Sequence, residues 1–208
     1  MISTIGSLVQ ATTNRWRWLL SMSLYIVACV STAALLGAIL GAPGHITGAA
    51  LGRVPACAWL TPAGPWLIGL LAVGYAASDL ELIVLLRPTL MFAVPVTWWR
   101  RWSPYKAALA YGAALGLGVT TAIAFGSFYV LCAICVLRGD SAYGALLMGA
   151  YGAARAFVIV PASWNVYSCP MGTKDRLSRV AASLPRAKAI VAIALIMLGV
   201  QYILTAML

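Results

Sequence analysis

The sequence predicts an all-α fold: a polytopic integral-membrane helix bundle of five transmembrane helices, or six if one ambiguous segment also spans. Three observations predict it. The 208 residues are 63% hydrophobic and only 9% charged, against about 45–50% apolar and about 25% charged in a soluble domain. Apolar runs of roughly twenty residues recur along the chain, the length that ~30 Å of hydrocarbon requires of a helix. The 14 Lys and Arg and 4 Asp and Glu give a net charge of +10, yet these charges sit in short clusters between the runs. They form no continuous basic face, a pattern that marks membrane topology and argues against a nucleic-acid partner.

The elements follow in order. The first span, near 18–41, begins after Arg15 and Arg17 and outruns the core of a signal peptide, so it is a retained helix. The second lies near 63–86. The segment 80–98 is apolar but carries Glu81, Arg87, Pro88 and Pro95, and reads as an interfacial segment or an extra span. Trp98, Trp99 and Trp102 beside Arg100 and Arg101 anchor its end at the membrane surface. The third run, 107–137, would be ~46 Å long as a straight helix, too long for the hydrocarbon core. A break is expected among Gly112, Gly116, Gly118 and Gly126. The fourth and fifth spans lie near 141–165 and 189–208.

Eleven basic residues (Arg15, Arg17, Arg87, Arg100, Arg101, Lys106, Lys174, Arg176, Arg179, Arg186 and Lys188) fall on one predicted side. The positive-inside rule then puts the N-terminus in the cytoplasm, and the bacterial inner membrane is the expected location. Lipid and other membrane subunits are the expected partners. Within the first span, Val30-Ser31-Thr32-Ala33 is echoed by Val119-Thr120-Thr121-Ala122 in the third, with Gly37 and Gly126 at the same offset, which suggests a degenerate internal repeat with helix breaks at Thr32, Thr121, Gly118 and Gly126.

The stretch Leu115 to Ala122, followed by Gly139-Asp140-Ser141 and the small-residue run Gly144 to Gly152, resembles the second repeat of the CcdA and DsbD transmembrane family. The resemblance implies broken helices and a thiol–disulfide electron carrier. The Pro-Cys pair of that family is replaced here by Thr121 and Ala122.

The candidate chemistry is sparse. Cys132 and Cys135 have redox spacing and Cys57, in the 42–62 loop, is their exchange candidate; the same thiols also fit as small apolar packing residues. Arg155 lies inside an apolar run, where a charge costs at least ~2.5 kcal/mol on insertion scales. Measured from the outer helix ends, Arg155 and Asp79 lie at ~21 and ~24 Å depth, so an intramembrane ion pair between them is expected, with Glu81 as substitute partner. No metal-ligand spacing and no cofactor motif is present, and His45 is the single histidine. The leading expectation is a non-enzymatic membrane subunit or scaffold of a larger complex; a CcdA-like electron carrier and a small-solute or ion exporter are the alternatives.

Overall fold

A computed structural model describes residues 15–50, 64–83, 85, 102–118, 126–168 and 173–207. The described residues are helical, with no strand among them: α1 (Arg15–Ala50), α2 (Gly64–Asp79), α3 (Pro104–Gly116), α4 (Ser127–Arg138), α5 (Ser141–Ser168) and α6 (Thr173–Met207). Among them, the segment Arg15–Pro43 of α1 and Lys188–Thr205 of α6 are long and apolar enough to cross a membrane.

The helix boundaries have local causes. Pro104 opens α3, where its missing N–H would have had no partner and its fixed φ suits the helix. The helix ends at Gly116, and Gly118 adopts φ 69°, a left-handed conformation that glycine adopts without a Cβ clash. The 107–137 run is therefore two helices, the second starting at Ser127. Gly139 ends α4 at φ 63°, its N–H donating to the Cys135 carbonyl. Asp140 Oδ1 then accepts from the N–H groups of Ala142 (2.9 Å) and Tyr143 (3.2 Å), capping α5. Two residues thus suffice to join α4 to α5.

Several expected boundaries are corrected. The second helix stops at Asp79, short of residue 86. Glu81 takes φ 63°, its N–H donates to the Ser78 carbonyl and the Leu82 N–H to the Ala77 carbonyl, the paired bonds of a Schellman helix end with Glu in the place glycine usually holds. No break occurs at Thr32: α1 is continuous from Arg15 to Ala50, and the Thr32 hydroxyl donates to the Ala28 carbonyl at 2.8 Å, a back-bond that a helix accommodates. The last helix begins at Thr173 rather than near 189, so the basic 174–188 stretch is helical backbone. Thr121, with the second copy of the sequence echo, Cys57 and most of 80–98 lie outside the described residues.

The chain divides into two compact units, 1–35 with 89–122 and 148–179, and 36–88 with 123–147 and 180–208. In the first, Trp18, Met22, Tyr25 and Cys29 of α1 pack on Ala108, Tyr111 and Leu115 of α3 and Ala156 of α5. Gly112 lies against the Tyr25 carbonyl and Gly116 against Cys29 and Thr32, so α3 runs parallel to α1 with the two backbones in close approach. Gly149 meets Ala34 and Gly152 meets Ala33, Cys29 and Val30, so α5 runs antiparallel to α1.

In the second unit, Ile68, Ala72, Tyr75 and Ala76 of α2 pack on Val130 and Ile134 of α4 and on Ala192 and Leu195 of α6. Gly69 and Gly199 bring α2 and α6 together, and Gly144 of α5 lies on the Gly37 carbonyl of α1. Large apolar side chains point outward from α1 (Val27, Leu35, Ile39), α2 (Leu70) and α6 (Ile190, Met197). The helices thus bury aromatic, aliphatic and small side chains with a few polar ones, and expose many large aliphatic side chains as well.

Candidate functional site: the buried polar groups of each unit

Asp79 is the last residue of α2 and is 2% exposed. Its two carboxylate oxygens accept from the Gly126 N–H at 3.1 and 2.9 Å. Gly126 is the N-cap of α4 and has no side chain to cap with, so a carboxylate 47 residues away in sequence supplies the acceptor. The first N–H groups of a helix lack internal partners and carry its positive end, and a carboxylate placed there is stabilised both by the bond and by the dipole. The Tyr75 ring, one turn before Asp79, stacks on Tyr129 at 5.2 Å and 13°, and a side chain on Gly126 would collide with Tyr75. Glycine at 126 is therefore what lets α4 begin against α2.

Glu81 is exposed and accepts a hydrogen bond from Lys188 Nζ at 2.9 Å. The Lys188 hydrogen bond and charge hold the Glu81 carboxyl below the ordinary glutamate range. The pair ties the end of α2 to the start of the apolar part of α6.

In the first unit, the inward stripe of α1 is polar as well as aromatic. Ser21 donates to the Arg17 carbonyl at 2.9 Å and the Cys29 thiol to the Gly152 carbonyl at 3.5 Å. Tyr25 is 1% exposed, stacks on Tyr111 with ring centroids 6.0 Å apart, and its buried hydroxyl has no hydrogen-bond partner. The antiparallel register of α5 brings Arg155, one turn beyond Gly152, level with Tyr25 and Cys29, near enough to act electrostatically on both.

Asp79 and Arg155, matched in depth by the sequence, belong to different units, and within its own unit each meets the groups just described. Cys132 and Cys135 share α4 as free thiols. Cys135 is buried with its Sγ 4.0 Å from the Gly144 carbonyl, while Cys132 is half-buried. No group of three or more His, Cys, Asp or Glu side chains that could hold a metal ion occurs among the described residues.

Sequence reasoning overlooked Tyr25, read Lys188 only as a topology charge, and named Gly126 as a helix break without its bond to Asp79. Tyr25 had a signal, since a phenol at 25 shares a helical stripe with Ser21 and Cys29. Comparison with family models, curated proteins and solved structures finds no match for this chain.

Proposed function

We propose that the chain is a polytopic helix bundle of the bacterial cytoplasmic membrane, with its N-terminus in the cytoplasm and five spans, and that it serves as a membrane-embedded subunit or scaffold of a larger complex. The observation that carries this reading is how the interior polar groups are used. Asp79 caps a helix, and the Ser21 and Thr32 hydroxyls and the Cys29 thiol bond to backbone carbonyls. These groups shape the bundle. The outward faces of α1, α2 and α6 are apolar and suit lipid or the helices of another subunit. The charge distribution supports the orientation, with the interrupted 107–137 run counted as a single crossing. Purification in a mild detergent tests the proposal: stable co-purification with another membrane protein is expected, and a monodisperse lone protomer with an activity of its own would defeat it.

One observation favours a second reading, a small-solute or ion exporter. Helix α4 starts at Ser127, inside an apolar run, with an acidic side chain on its N-cap Gly126, and transport folds bind ions at helix ends of this kind. Flux through proteoliposomes that survives replacement of Asp79 and Arg155 would count against it.

A further inference from the structure

We propose that the outward face of α6 is the interface between two copies of this chain, the two α6 helices crossing in parallel with Gln201 of one against Gln201 of the other. The inner face of α6 is occupied: Ala192 and Leu195 pack with α2, and Gly199 lies against Gly69 and Val73 of that helix. On the outer side Ile190, Ala194, Met197, Gln201 and Leu204 follow one another at steps of four, three, four and three residues. All are exposed, Ile190 at 68%, Met197 at 71% and Leu204 at 55%. Alternating steps of three and four form the seam of a left-handed helix pair, with Ile190, Met197 and Leu204 at one core position of the heptad and Ala194 and Gln201 at the other.

Gln201 selects what covers the seam. It stands one turn inside the end of the apolar stretch Lys188–Thr205, and hydrocarbon offers its amide neither donor nor acceptor. Thr205, a polar neighbour on α6, donates its hydroxyl to the Tyr202 carbonyl, whereas no described residue bonds to the Gln201 side chain. An amide carries donors and an acceptor together, so a second Gln201 is a complete partner for it. Copies inserted in one bilayer share their orientation, and two α6 helices therefore meet about a two-fold axis along the membrane normal. Such an axis sets each seam residue against its own counterpart. A single polar residue at a core position fixes register and strand number, and interhelical amide bonds hold helices together in lipid. The pairing rests on the reading that α6 spans the bilayer, and goes beyond the subunit reading by naming a partner.

The test uses the full chain, reconstituted alone in vesicles of phosphatidylcholine and phosphatidylglycerol, with single cysteines added to the native thiols. Copper-phenanthroline oxidation, read on a non-reducing gel, should link Met197→Cys and Leu204→Cys into dimers. Val200→Cys, also exposed but about 80° around the helix from the seam, should stay at the level of the unsubstituted chain. Energy transfer between donor- and acceptor-labelled chains diluted with lipid gives the dissociation constant. Gln201→Leu keeps the helix apolar and removes the amide, and should raise that constant roughly three- to thirtyfold; Gln201→Asn, which keeps an amide, should recover most of the loss. A membrane-impermeant maleimide should leave position 197 of Met197→Cys unlabelled by mass spectrometry. Labelling there would overturn the pairing together with the span. Protection without cross-linking at any lipid dilution would overturn the pairing alone and leave the face to lipid or to a different protein. Equal cross-linking of Val200→Cys, or a Gln201→Leu chain that associates as the native one does, would also overturn it.

Discussion

Removing the carboxylate of Asp79 should unfasten the first turn of α4. Gly126 donates its N–H to both oxygens, at 3.1 and 2.9 Å, in a site where Asp79 is 2% exposed. A hydrogen bond to a charged group contributes about 1.5–3 kcal/mol, and a negative charge at a helix N-terminus adds about 0.3–1 kcal/mol. Asp79→Ala should therefore destabilise the bundle by about 2–4 kcal/mol. Asp79→Asn retains an amide oxygen that can accept from Gly126 but loses the charge, and should cost roughly half as much. The two variants separate the bond from the charge. Thermal unfolding in detergent gives the global figure, and amide hydrogen exchange across residues 127–130 gives the local one. If the first turn opens by itself, a loss of about 2 kcal/mol speeds exchange there roughly thirtyfold, because 1.4 kcal/mol is a factor of ten in an equilibrium constant. Exchange at 127–130 within twofold of the native chain in Asp79→Ala would refute the capping role, whatever happened to Tm.

Three further outcomes follow from the packing. Gly116→Ala puts a methyl group into the Cys29 carbonyl and the Thr32 hydroxyl and should cost about 1–3 kcal/mol, whereas Gly74→Ala, with nothing within 4 Å of the new methyl, should stabilise α2 by about 0.5–1 kcal/mol; thermal unfolding of the two variants compares them, and equal effects would contradict the close approach of α3 to α1. The Glu81 carboxyl is held below its ordinary range by Lys188, so the stability from this pair is present above the unfolded pKa and is lost as pH falls through the lowered folded value. Lys188→Gln should flatten that acid limb, and added salt should shrink it because Glu81 is 79% exposed; a limb that is the same in the variant would exclude the pair as its source. Cys132 is half-buried and Cys135 buried against Gly144, so maleimide labelling of the native chain, read by mass spectrometry, should modify Cys132 before Cys135.

How far the sequence carries depends on which physical quantity it encodes. Length against membrane thickness required a break in 107–137, and the glycines located it, because Gly118 adopts a left-handed φ that other residues there would resist. The repeat echo, by contrast, suggested a break at Thr32, where the backbone has no such requirement: a threonine that bonds back to the carbonyl four residues earlier leaves α1 intact. Sequence similarity between two tetrapeptides says nothing about φ. The helix end at Asp79 was hidden for the same reason, since Glu81 occupies a position that glycine usually marks.

The backbone partner of Asp79 shows a different limit. Matching depths along helices compares charges with charges, and so leads from Asp79 to Arg155 alone. A backbone N–H is not visible to that comparison. It becomes an available donor only where a helix begins, and Gly126 begins one. Once a break is required in the 107–137 run, a set of unpaired N–H groups must exist inside the apolar layer, where they are costly to leave unmet. An acidic residue at matching depth is then the natural acceptor. The break and the buried carboxylate are two sides of one requirement: the interrupted helix needs an acceptor for its first N–H groups, and Asp79 needs donors for a charge that lipid will not solvate. Hence a variant that removes either, Asp79→Ala or a bulky residue at Gly126 that drives Tyr75 away, should expose the same amides to exchange.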